Sequence, residues 1–362
     1  MEPPRYPKVA DASHRQIRWL ALIACALLAA CGASPDPQLE VTGPTMGTYY
    51  AVKVARPPAG LTPEALRAGI ERVLGGVIAT LSTYDASSEL SRLNRNPSTD
   101  WVPVSDALRQ VLAAGQRLGA VSDGAFDITV GPLVNLWGFG PGAHADAVPA
   151  PELIRAARER VGYGKLELRA DPAAIRRQRG DLYIDLSALG EGEGADRMAA
   201  WLESIGATDY MAAVAGTLRV RGKNAAGRPW GIAIEVPDPE QRSVQRILPV
   251  TDGAVSTSGD YRNFFKAGGK RYSHHIDPHT GLPVEQHLAS VTVVLPAGTD
   301  SARRADGLAT TLMVMGAARG PALAEAQGLA AYFILRENQG FRELTTTVFQ
   351  QIEHSASANE RK

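Results

Sequence analysis

The sequence predicts an α+β fold, because helical segments interrupt strands that come in hairpin-like pairs. Two short runs of alternating apolar residues, 210–214 and 218–221, flank a turn at Gly216 and predict a hairpin. Amphipathic segments at 61–81 and 305–315 carry apolar residues at helical spacing. The sequence contains no internal repeat, and this arrangement favours α+β over a doubly wound parallel sheet.

The composition is that of a globular protein without a charge bias. The chain has 362 residues, of which 44% are apolar, so it can bury the core of one large domain or of two ordinary ones. Lys and Arg together number 38, as do Asp and Glu, and this balance gives no support for a nucleic-acid partner. The two cysteines, Cys25 and Cys31, lie in the first tenth of the chain. The remainder therefore has no disulfide, thiolate metal site or cysteine nucleophile.

The first 30 residues have the pattern of a targeting segment. His14, Arg15 and Arg18 precede an apolar run at 19–30, which is too short to span a bilayer as a permanent helix. The run leads into Leu-Ala-Ala-Cys-Gly at 28–32, which resembles the lipobox of bacterial lipoproteins. A plain secretory signal with a chance cysteine is the alternative.

This pattern predicts the organisation of the chain. Cleavage before Cys31 and acylation of its thiol would give a lipid-anchored protein outside the cytoplasm. The expected divisions are a signal peptide at 1–30, a tether at 31–42, a folded domain at 43–350 and a C-terminal tail at 351–362.

The first half of the domain predicts one strand followed mainly by helices. Residues 45–54 alternate like a strand that a Gly turn opens, and 62–64 carry the Thr-Pro-Glu signal of a helix start. Apolar residues then recur at helical spacing to Leu81. The remaining predictions are a short helix or turn at 88–94, a helix at 105–118 and an apolar run at 124–133. A surface loop at 141–151 and a helix at 154–161 follow.

The second half of the domain predicts more strands than helices. Besides the hairpin around Gly216, period-two or β-branched patterns predict strands near 181–184, 230–237, 254–257, 270–276, 290–295 and 329–335. The helices are expected after residue 196 and at 305–315.

The segment 185–196 combines three glycines with four acidic residues. It follows the strand end at 181–184 and precedes helical spacing from Met198, so we expect a Gly-rich turn that leads into a helix N-terminus. Such a turn can approach a phosphate closely, but carboxylates repel a phosphate unless a cation lies between them. The acids are Asp185, Glu191, Glu193 and Asp196. The segment predicts a metal-bridged phosphate ligand, with an ordinary acidic turn at a helix start as the alternative.

Asp306 and Thr310 are four residues apart on a predicted helix and therefore share a face. A carboxylate and a hydroxyl at this spacing can supply two oxygen ligands to a hard cation such as Mg²⁺. The alternative is that Asp306 caps the helix or forms an ion pair with Arg303 or Arg304.

The segment 272–277 places imidazoles and a carboxylate at a strand end. Residues two apart share a face of a strand, so we expect His275 to pair with Asp277 and His274 to lie with Ile276. A neutral histidine is a natural acceptor for a hydroxyl proton near pH 7. A histidine metal site is a weaker alternative, and the hydroxyl-rich turn at 256–261 can either line a ligand pocket or satisfy its own backbone.

Together these segments resemble the ApbE family of FAD:protein FMN transferases. The similarity runs from about Thr45 to the last predicted strand, and its strength comes from the order of the blocks rather than from any one of them. The matching blocks are 45–49, 81–85, 124–133, 185–188, 256–261, 273–281 and 305–310. The resemblance implies an α+β fold with mixed or antiparallel sheets flanked by helices, which holds FAD in a cleft with Mg²⁺ on its pyrophosphate.

The resemblance also implies roles for individual residues. The residues expected to bind FAD are Met46, Tyr84, Ala125, Phe126, Asp127, Asp185, Glu191 and the backbone of Ile276. The expected metal ligands are the Ala188 carbonyl and the side chains of Asp306 and Thr310. The catalytic candidates are His274, as the base, and Asp277.

The implied reaction transfers the FMN half of FAD to a Thr hydroxyl of a partner flavoprotein and releases AMP. The hydroxyl is a poor nucleophile that needs a proton acceptor, and Mg²⁺ would neutralise the pyrophosphate. The expected acceptors are membrane redox subunits or periplasmic reductases, and the expected location is the periplasmic face of the inner membrane. The alternatives are a non-catalytic flavin-trafficking lipoprotein and an Mg²⁺-dependent FAD pyrophosphatase.

Three positions depart from the pattern of the family. Many relatives have Lys at the position of Glu191 and an aromatic residue at that of Glu193. The segment 213–217 stands where Asn or Ser followed by Gly-Gly is usual, so Ala215 adds a Cβ beside a turn that would approach the ligand.

Overall fold

The computed structural model describes residues 38–359 except 143–145, 241–242, 285–286 and 339. The expected signal peptide and the tether up to residue 37 lie outside these residues. Within the described ranges, none of the helices has the length and apolar character needed to cross a bilayer.

The centre of the fold is an antiparallel sheet of eight strands. The strands are β1 (Leu39–Thr45), β2 (Thr48–Val54), β6 (Tyr210–Val214), β7 (Thr217–Arg221), β10 (Gly253–Gly259), β13 (Leu288–Pro296), β14 (Ala330–Glu337) and β15 (Gly340–Thr345). They lie in the sheet in this order, and each neighbouring pair is antiparallel. β13 is central and buried on both faces, which explains its continuous run of apolar and β-branched residues.

Several of the described helices cover one face of this sheet. The described helices are α1 (Pro63–Leu81), α2 (Glu89–Arg95), α3 (Asp106–Val121), α4 (Gly131–Leu136), α5 (Pro151–Arg158), α6 (Ser187–Ser204), α7 (Ser301–Ala326) and α8 (Thr347–Asn359). α7 packs on β10 and β13, α6 packs on α7, and α1 packs on α6. Val291, Val293 and Phe333 point from the sheet into this layer.

The opposite face is covered by a hairpin and by α8. The hairpin consists of β8 (Trp230–Glu235) and β9 (Val244–Val250). Trp230 and Ile232 from the hairpin and Phe349 from α8 share one apolar cluster with Tyr332 of the sheet. The core therefore lies on both faces of the sheet.

A second hairpin, β11 (Phe264–Ala267) and β12 (Lys270–Ser273), stands outside the large sheet. It packs against Trp137, which directly follows α4: the Trp137 ring centroid lies 5.4 Å from that of Tyr272 and 6.4 Å from that of Phe265. A small sheet of β3 (Val102–Pro103), β5 (Ala174–Arg177) and β4 (Leu166–Arg169) completes the fold.

The α+β prediction is confirmed, and several elements form where the sequence signals them. Thr62 caps α1 by accepting a hydrogen bond from the Ala65 N–H, and Ser105 caps α3 in the same way from the Leu108 N–H. The predicted helix 305–315 lies in α7, which is interrupted at Gly316, where φ is 70°.

Other boundaries differ from the predictions. The single strand expected at 45–54 is a hairpin, because the chain reverses at Met46 and Gly47. β1 begins at Leu39, inside the expected tether, and α8 extends to Asn359, inside the expected tail. The apolar run 124–133 buries its side chains without forming a strand and ends in α4.

The prediction of a Gly-rich turn at 185–196 is wrong, because α6 begins at Ser187 and contains all three glycines. Residues 181–184 belong to none of the described strands, and Asp181 lies in a turn. The side chain of Asn94 takes the place of a strand partner: its Nδ2 donates to the Ile184 carbonyl at 2.8 Å, and its Oδ1 accepts from the Ile184 N–H at 2.9 Å.

Gly192 allows a close approach of two helices rather than of a ligand. A Cβ at this position would lie 2.5 Å from the Ala302 carbonyl oxygen and from the Arg303 Cα, both in α7. Gly190, half a turn earlier on α6, has no neighbour within 4 Å of an ideal Cβ.

Replacement of Gly192 by Ala is therefore expected to destabilise the fold by about 2 kcal/mol, since the clashing atoms are backbone. Gly190→Ala is the matched control, and it should leave stability unchanged or raise it by about 0.5–1 kcal/mol. Urea denaturation followed by tryptophan fluorescence measures both. Equal stability of the two variants would contradict the close approach.

Candidate active site

The contact between α6 and α7 brings Asp306, one of the expected metal ligands, against the helix that carries Ala188. Asp306 is buried, and its Oδ2 accepts a hydrogen bond from the Gly192 N–H at 2.9 Å. In a regular α-helix, that N–H would bond to the Ala188 carbonyl oxygen, four residues earlier. The Asp306 carboxylate therefore lies against α6 one turn after Ala188.

Thr310 lies one turn after Asp306 on the same face of α7. Its Oγ1 is 3.3 Å from the Oγ of Ser258 on β10. Farther along β10, the Ser256 Oγ is 2.7 Å from the Oγ1 of Thr217. The hydroxyl-rich turn predicted at 256–261 thus begins as strand, and its hydroxyls face α7 and β7.

Glu191 supplies a second carboxylate to this contact. The Gly216 backbone N–H and the Thr217 side chain bond to it, and burial raises its pKa to about 7. Burial, and then the Glu191 charge, raise the pKa of Asp306 well above its ordinary value. Two neighbouring carboxyls that resist ionisation in this way favour a bound cation.

The chemistry of the donor set fits Mg²⁺. A carbonyl, a carboxylate and a hydroxyl oxygen are hard ligands, and Mg²⁺ usually takes one or two carboxylates and leaves its other positions to water and substrate phosphates. Across the described part of the chain, no three His, Cys, Asp or Glu side chains form a metal-binding group. The histidine metal site considered as an alternative therefore has no support there.

The four acids of the segment 185–196 do not act together. Glu193 is buried and binds Arg303 Nη1 and Arg197 Nε at 2.6 and 2.7 Å. Asp196 accepts hydrogen bonds from the Ala302 and Arg303 N–H groups at 3.1 and 2.9 Å and so caps α7. Arg303 is thus paired with Glu193 and not, as the local alternative held, with Asp306.

The raised pKa values predict how stability depends on pH. A carboxyl whose pKa is higher in the folded state than its unfolded value near 4 stabilises the fold below that value, and the stability is lost as the pH rises through the folded pKa, about 7 for Glu191. We expect the Tm of the metal-free protein to fall from about pH 5 to about pH 8, and Mg²⁺ to restore part of it. Scanning calorimetry measures this, and a Tm that rises over the same range would contradict it.

Tyr84 and Asp185 lie beside one another at a second part of the site. Tyr84 is 66% exposed, and its hydroxyl donates to the Phe139 carbonyl at 3.1 Å. Burial of the hydroxyl and the nearby Asp185 charge raise the pKa of Tyr84. Asp185 Oδ1 accepts from the Ser187 N–H at 2.9 Å, which holds this carboxylate at the start of α6. An exposed aromatic ring that is held in place can stack on a flat ring of a ligand.

Met46 and the segment 125–127, which were expected to bind FAD, offer mainly backbone groups, because most of their side chains pack inside the protein. Met46 has φ of 49° in the β1–β2 turn and packs against apolar residues of α1 and α6. Ala125 and Phe126 are buried. Asp127 is also buried, and its oxygens accept from the Thr129 N–H at 2.7 Å and the Tyr163 N–H at 2.8 Å. The Asp127 carboxylate therefore serves the local turn, and a ligand would meet the backbone of this segment.

His274 follows β12 and is oriented by a backbone carbonyl. Its Nδ1 lies 3.1 Å from the Asn263 carbonyl oxygen, which also accepts from the His274 N–H at 3.2 Å. Because a carbonyl oxygen only accepts, Nδ1 carries the proton and Nε2 of the neutral ring keeps a free lone pair. Burial lowers the pKa of His274, so the ring is neutral near pH 7. This is the protonation state that a general base requires.

The expected pairing of His275 with Asp277 is not found. Asp277 Oδ1 lies 3.0 Å from the His279 N–H and 3.2 Å from its Nδ1, and Oδ2 accepts from the Thr280 hydroxyl. Its carboxylate thus closes the turn after Ile276 and contacts neither His274 nor His275. His275 is 4% exposed, and its Nδ1 has no hydrogen-bond partner among the described residues. Ile276 is buried beside Trp137 and Phe265.

Two elements of the site were not predicted from the sequence. The Asn263 carbonyl that orients His274 comes from the loop before β11, and a backbone group leaves no signal in the sequence. Asp260 was noted only within a hydroxyl-rich turn, yet it is buried and binds Arg271 and Arg336. Two arginines that share one aspartate from distant strands cannot be paired by spacing alone.

Ala215 adopts a left-handed conformation, with φ of 45°, in the β6–β7 turn beside Gly216, which bonds to Glu191. Replacement by Gly is expected to raise stability by about 1 kcal/mol, because Gly has no Cβ to oppose this conformation. Ala213→Gly, in the preceding strand, should lower stability by about 0.5–1 kcal/mol. Chemical denaturation measures both changes, and a loss of stability in Ala215→Gly would contradict the strain.

Comparison with known proteins decides the family. Residues 46–333 match the model of the ApbE family. The chain belongs to the ApbE family. The FAD:protein FMN transferase of Vibrio cholerae is 43% identical over 332 residues, covering 92% of this chain and 98% of the relative. The enzyme of the same name from Salmonella typhimurium is 40% identical over 341 residues, covering 92% and 96%.

Solved structures of ApbE proteins have the same fold. The flavin transferase ApbE from Vibrio cholerae superposes with a TM-score of 0.80 at 42% identity, covering 87% of this chain and 99% of that one. The apo form of the flavinyl transferase ApbE from Pseudomonas stutzeri gives a TM-score of 0.79 at 41% identity, covering 88% and 97%. The resemblance that the ordered sequence blocks indicated is confirmed.

Proposed function

We propose that this protein is an FAD:protein FMN transferase that joins the FMN half of FAD to a Thr hydroxyl of an acceptor flavoprotein and releases AMP. The names of its ApbE relatives support the reaction class. The observation that carries the proposal is the hydrogen bond from the Gly192 N–H of α6 to the buried Asp306 carboxylate of α7, beside Glu191. This contact suits a dinucleotide pyrophosphate with a divalent cation.

In this proposal Ala188, Asp306 and Thr310 hold Mg²⁺. The ion would neutralise charge on the pyrophosphate and stabilise the departing AMP. The protein fixes these oxygens in advance, because α6 and α7 meet without a side chain at Gly192. The start of α6 adds N–H groups that favour an anionic ligand.

The proposed reaction forms one bond to phosphorus, breaks another and requires one residue to accept the proton of the Thr hydroxyl. The acceptor Thr oxygen forms a bond to the phosphorus of the FMN half, and the bond from that phosphorus to the bridging oxygen breaks. AMP leaves with the electron pair of the broken bond. Nε2 of His274 takes the Thr proton, because Nδ1 is held by the Asn263 carbonyl. Tyr84, beside Asp185, offers a face for the flavin ring.

The proposal places the enzyme at the cell envelope. The lipobox-like segment at 28–32 supports a lipid anchor on Cys31, outside the cytoplasm and facing the periplasm. An enzyme tethered at the inner membrane would meet acceptors of the kinds expected from the family, membrane redox subunits and periplasmic reductases.

One experiment tests the reaction. The purified protein is incubated with FAD, Mg²⁺ and a candidate periplasmic flavoprotein, and the acceptor is examined for covalent flavin fluorescence after denaturing electrophoresis. We expect a fluorescent acceptor band and stoichiometric AMP. Retained FAD without products would instead indicate a flavin-trafficking protein. Free FMN and AMP without a labelled acceptor would indicate a pyrophosphatase.

A further inference from the structure

Among the described residues, no strand pairing connects the part of the fold that carries the base with the part that carries the metal ligands. Asp306 and Thr310 lie on α7, which packs on β10 and β13 of the large sheet. His274 directly follows β12, and the β11–β12 hairpin forms a two-stranded sheet of its own in the described structure. The distance between base and metal therefore depends on side-chain contacts between these parts.

Asp260 makes such a contact. It lies directly after β10, is 1% exposed, and its N–H bonds to the Ala289 carbonyl on β13 at 3.1 Å. Its Oδ2 accepts from Arg271 Nη2 at 2.6 Å and from Arg336 Nη1 at 2.7 Å, while Oδ1 accepts from Arg336 Nη2 at 2.6 Å. Arg271 is on β12, three residues before His274, and Arg336 is on β14. One buried carboxylate thus ties the histidine-bearing hairpin to the large sheet.

We propose that Asp260 is a positioning residue for FMN transfer, which holds His274 at a fixed place relative to Asp306 and Thr310 through its ion pair with Arg271. The proposal rests on the proposed function, in which His274 is the base. A buried carboxylate shared by two arginines contributes modestly to stability, but it specifies one geometry, because its loss removes the contact that joins β12 to β10 and β14. Small displacements of a reacting group cost large factors in rate.

The charged groups around His274 give the proposal a distinct signature. Asp260 attracts a proton to His274 and so raises its pKa, against the lowering effect of burial. His275, with its ring centroid 4.0 Å away, opposes a second charge, and Arg271 and Arg336 face Asp260. Loss of the Asp260 charge must therefore lower the pKa of His274 further.

The test compares Asp260→Asn with Asp209→Asn in the full-length enzyme. Asp209 is a matched control, because it is also a buried aspartate paired with an arginine, Arg56, and it lies outside the site. We expect Asp260→Asn to reduce kcat about tenfold or more, with little change in KM for FAD. The acidic limb of its kcat profile should move to lower pH, whereas Asp209→Asn should keep the profile of the natural protein. Asp260→Glu should recover part of kcat.

A second pair of variants covers the case in which Asp260→Asn does not fold. Arg271→Met breaks the tie to the hairpin, whereas Arg336→Met breaks the pair with β14 and keeps that tie, and both keep the apolar stem. The proposal requires a larger loss of kcat in Arg271→Met than in Arg336→Met. Equal losses in these two variants, or a folded Asp260→Asn enzyme with unchanged kcat, would overturn it.

A measurement made without FAD tests the role of Asp260 separately from the proposed transferase function. The imidazole resonances of His274 are titrated by NMR without FAD, in the natural protein and in Asp260→Asn, with His274→Gln to assign them. Absence of acceptor labelling by the natural protein would reject the proposed function. An unmoved His274 titration in Asp260→Asn would reject the role of Asp260, whatever the labelling result.

Discussion

Replacing His274 by Gln is expected to lower the rate of FMN transfer at least about 100-fold, the usual contribution of a general base. The reason is that Nε2 of His274 holds the only lone pair that the Asn263 contact leaves on this ring. Gln fills similar space but does not accept a proton near neutral pH. FAD affinity should change little, because the His274 side chain is not among the groups expected to hold the nucleotide and the substitution keeps the backbone near Ile276. Acceptor labelling and FAD binding by fluorescence quenching measure the two effects.

His287→Gln is the control for this prediction. His287 is exposed, and its carbonyl oxygen accepts from the Arg336 N–H, a backbone contact that the substitution keeps. It should label the acceptor at the rate of the natural protein. If His274→Gln also kept that rate, the base would have to be sought elsewhere, and His275 would be the first residue to examine.

Replacing Asp306 by Asn is expected to reduce Mg²⁺-dependent turnover by about 100-fold or more, since a carboxylate ligand to the ion is lost. Asn keeps an oxygen that can accept from the Gly192 N–H, so the contact between α6 and α7 should remain. The metal-free variant should be more stable than the natural protein near pH 8, because the buried charge beside Glu191 is gone. Turnover against Mg²⁺ concentration and the Tm at that pH measure both effects.

Asp300→Asn is the matched control on the same helix. Asp300 precedes α7 and pairs with Arg303 at 3.3 Å, away from Thr310. Its substitution should leave the Mg²⁺ dependence unchanged. Full turnover in Asp306→Asn with an unaltered Mg²⁺ requirement would remove the metal assignment while leaving the family assignment intact.

Much of the fold follows from local signals in the sequence. Thr62 and Ser105 mark helix starts because their side chains satisfy N–H groups that an α-helix leaves free. The run 290–295 predicts a buried strand because both faces of β13 are covered. Where the predictions were wrong, a partner distant in sequence replaced the local one, as Asn94 does for Ile184.

The glycines of α6 show why local reasoning missed the central helix. Glycine is a poor helix former, so three of them in five residues predict a turn. Gly192 is nevertheless helical, and a glycine is required there because any larger residue would strike Ala302 of α7. The same helix separates the acids: Glu191 and Glu193 differ by about 200° around its axis, so they face opposite sides.

The sequence by itself determined the fold class, the family and the residue types available for chemistry, because periodicity, caps and the order of the blocks are properties of the chain alone. Only the tertiary structure decided which groups meet. It turned Glu191 toward Asp306 and Glu193 toward Arg303, engaged Asp277 in its own turn, and directed Nδ1 of His274 to the Asn263 carbonyl. The physical reason is that burial and hydrogen bonding depend on neighbours that come from distant parts of the chain.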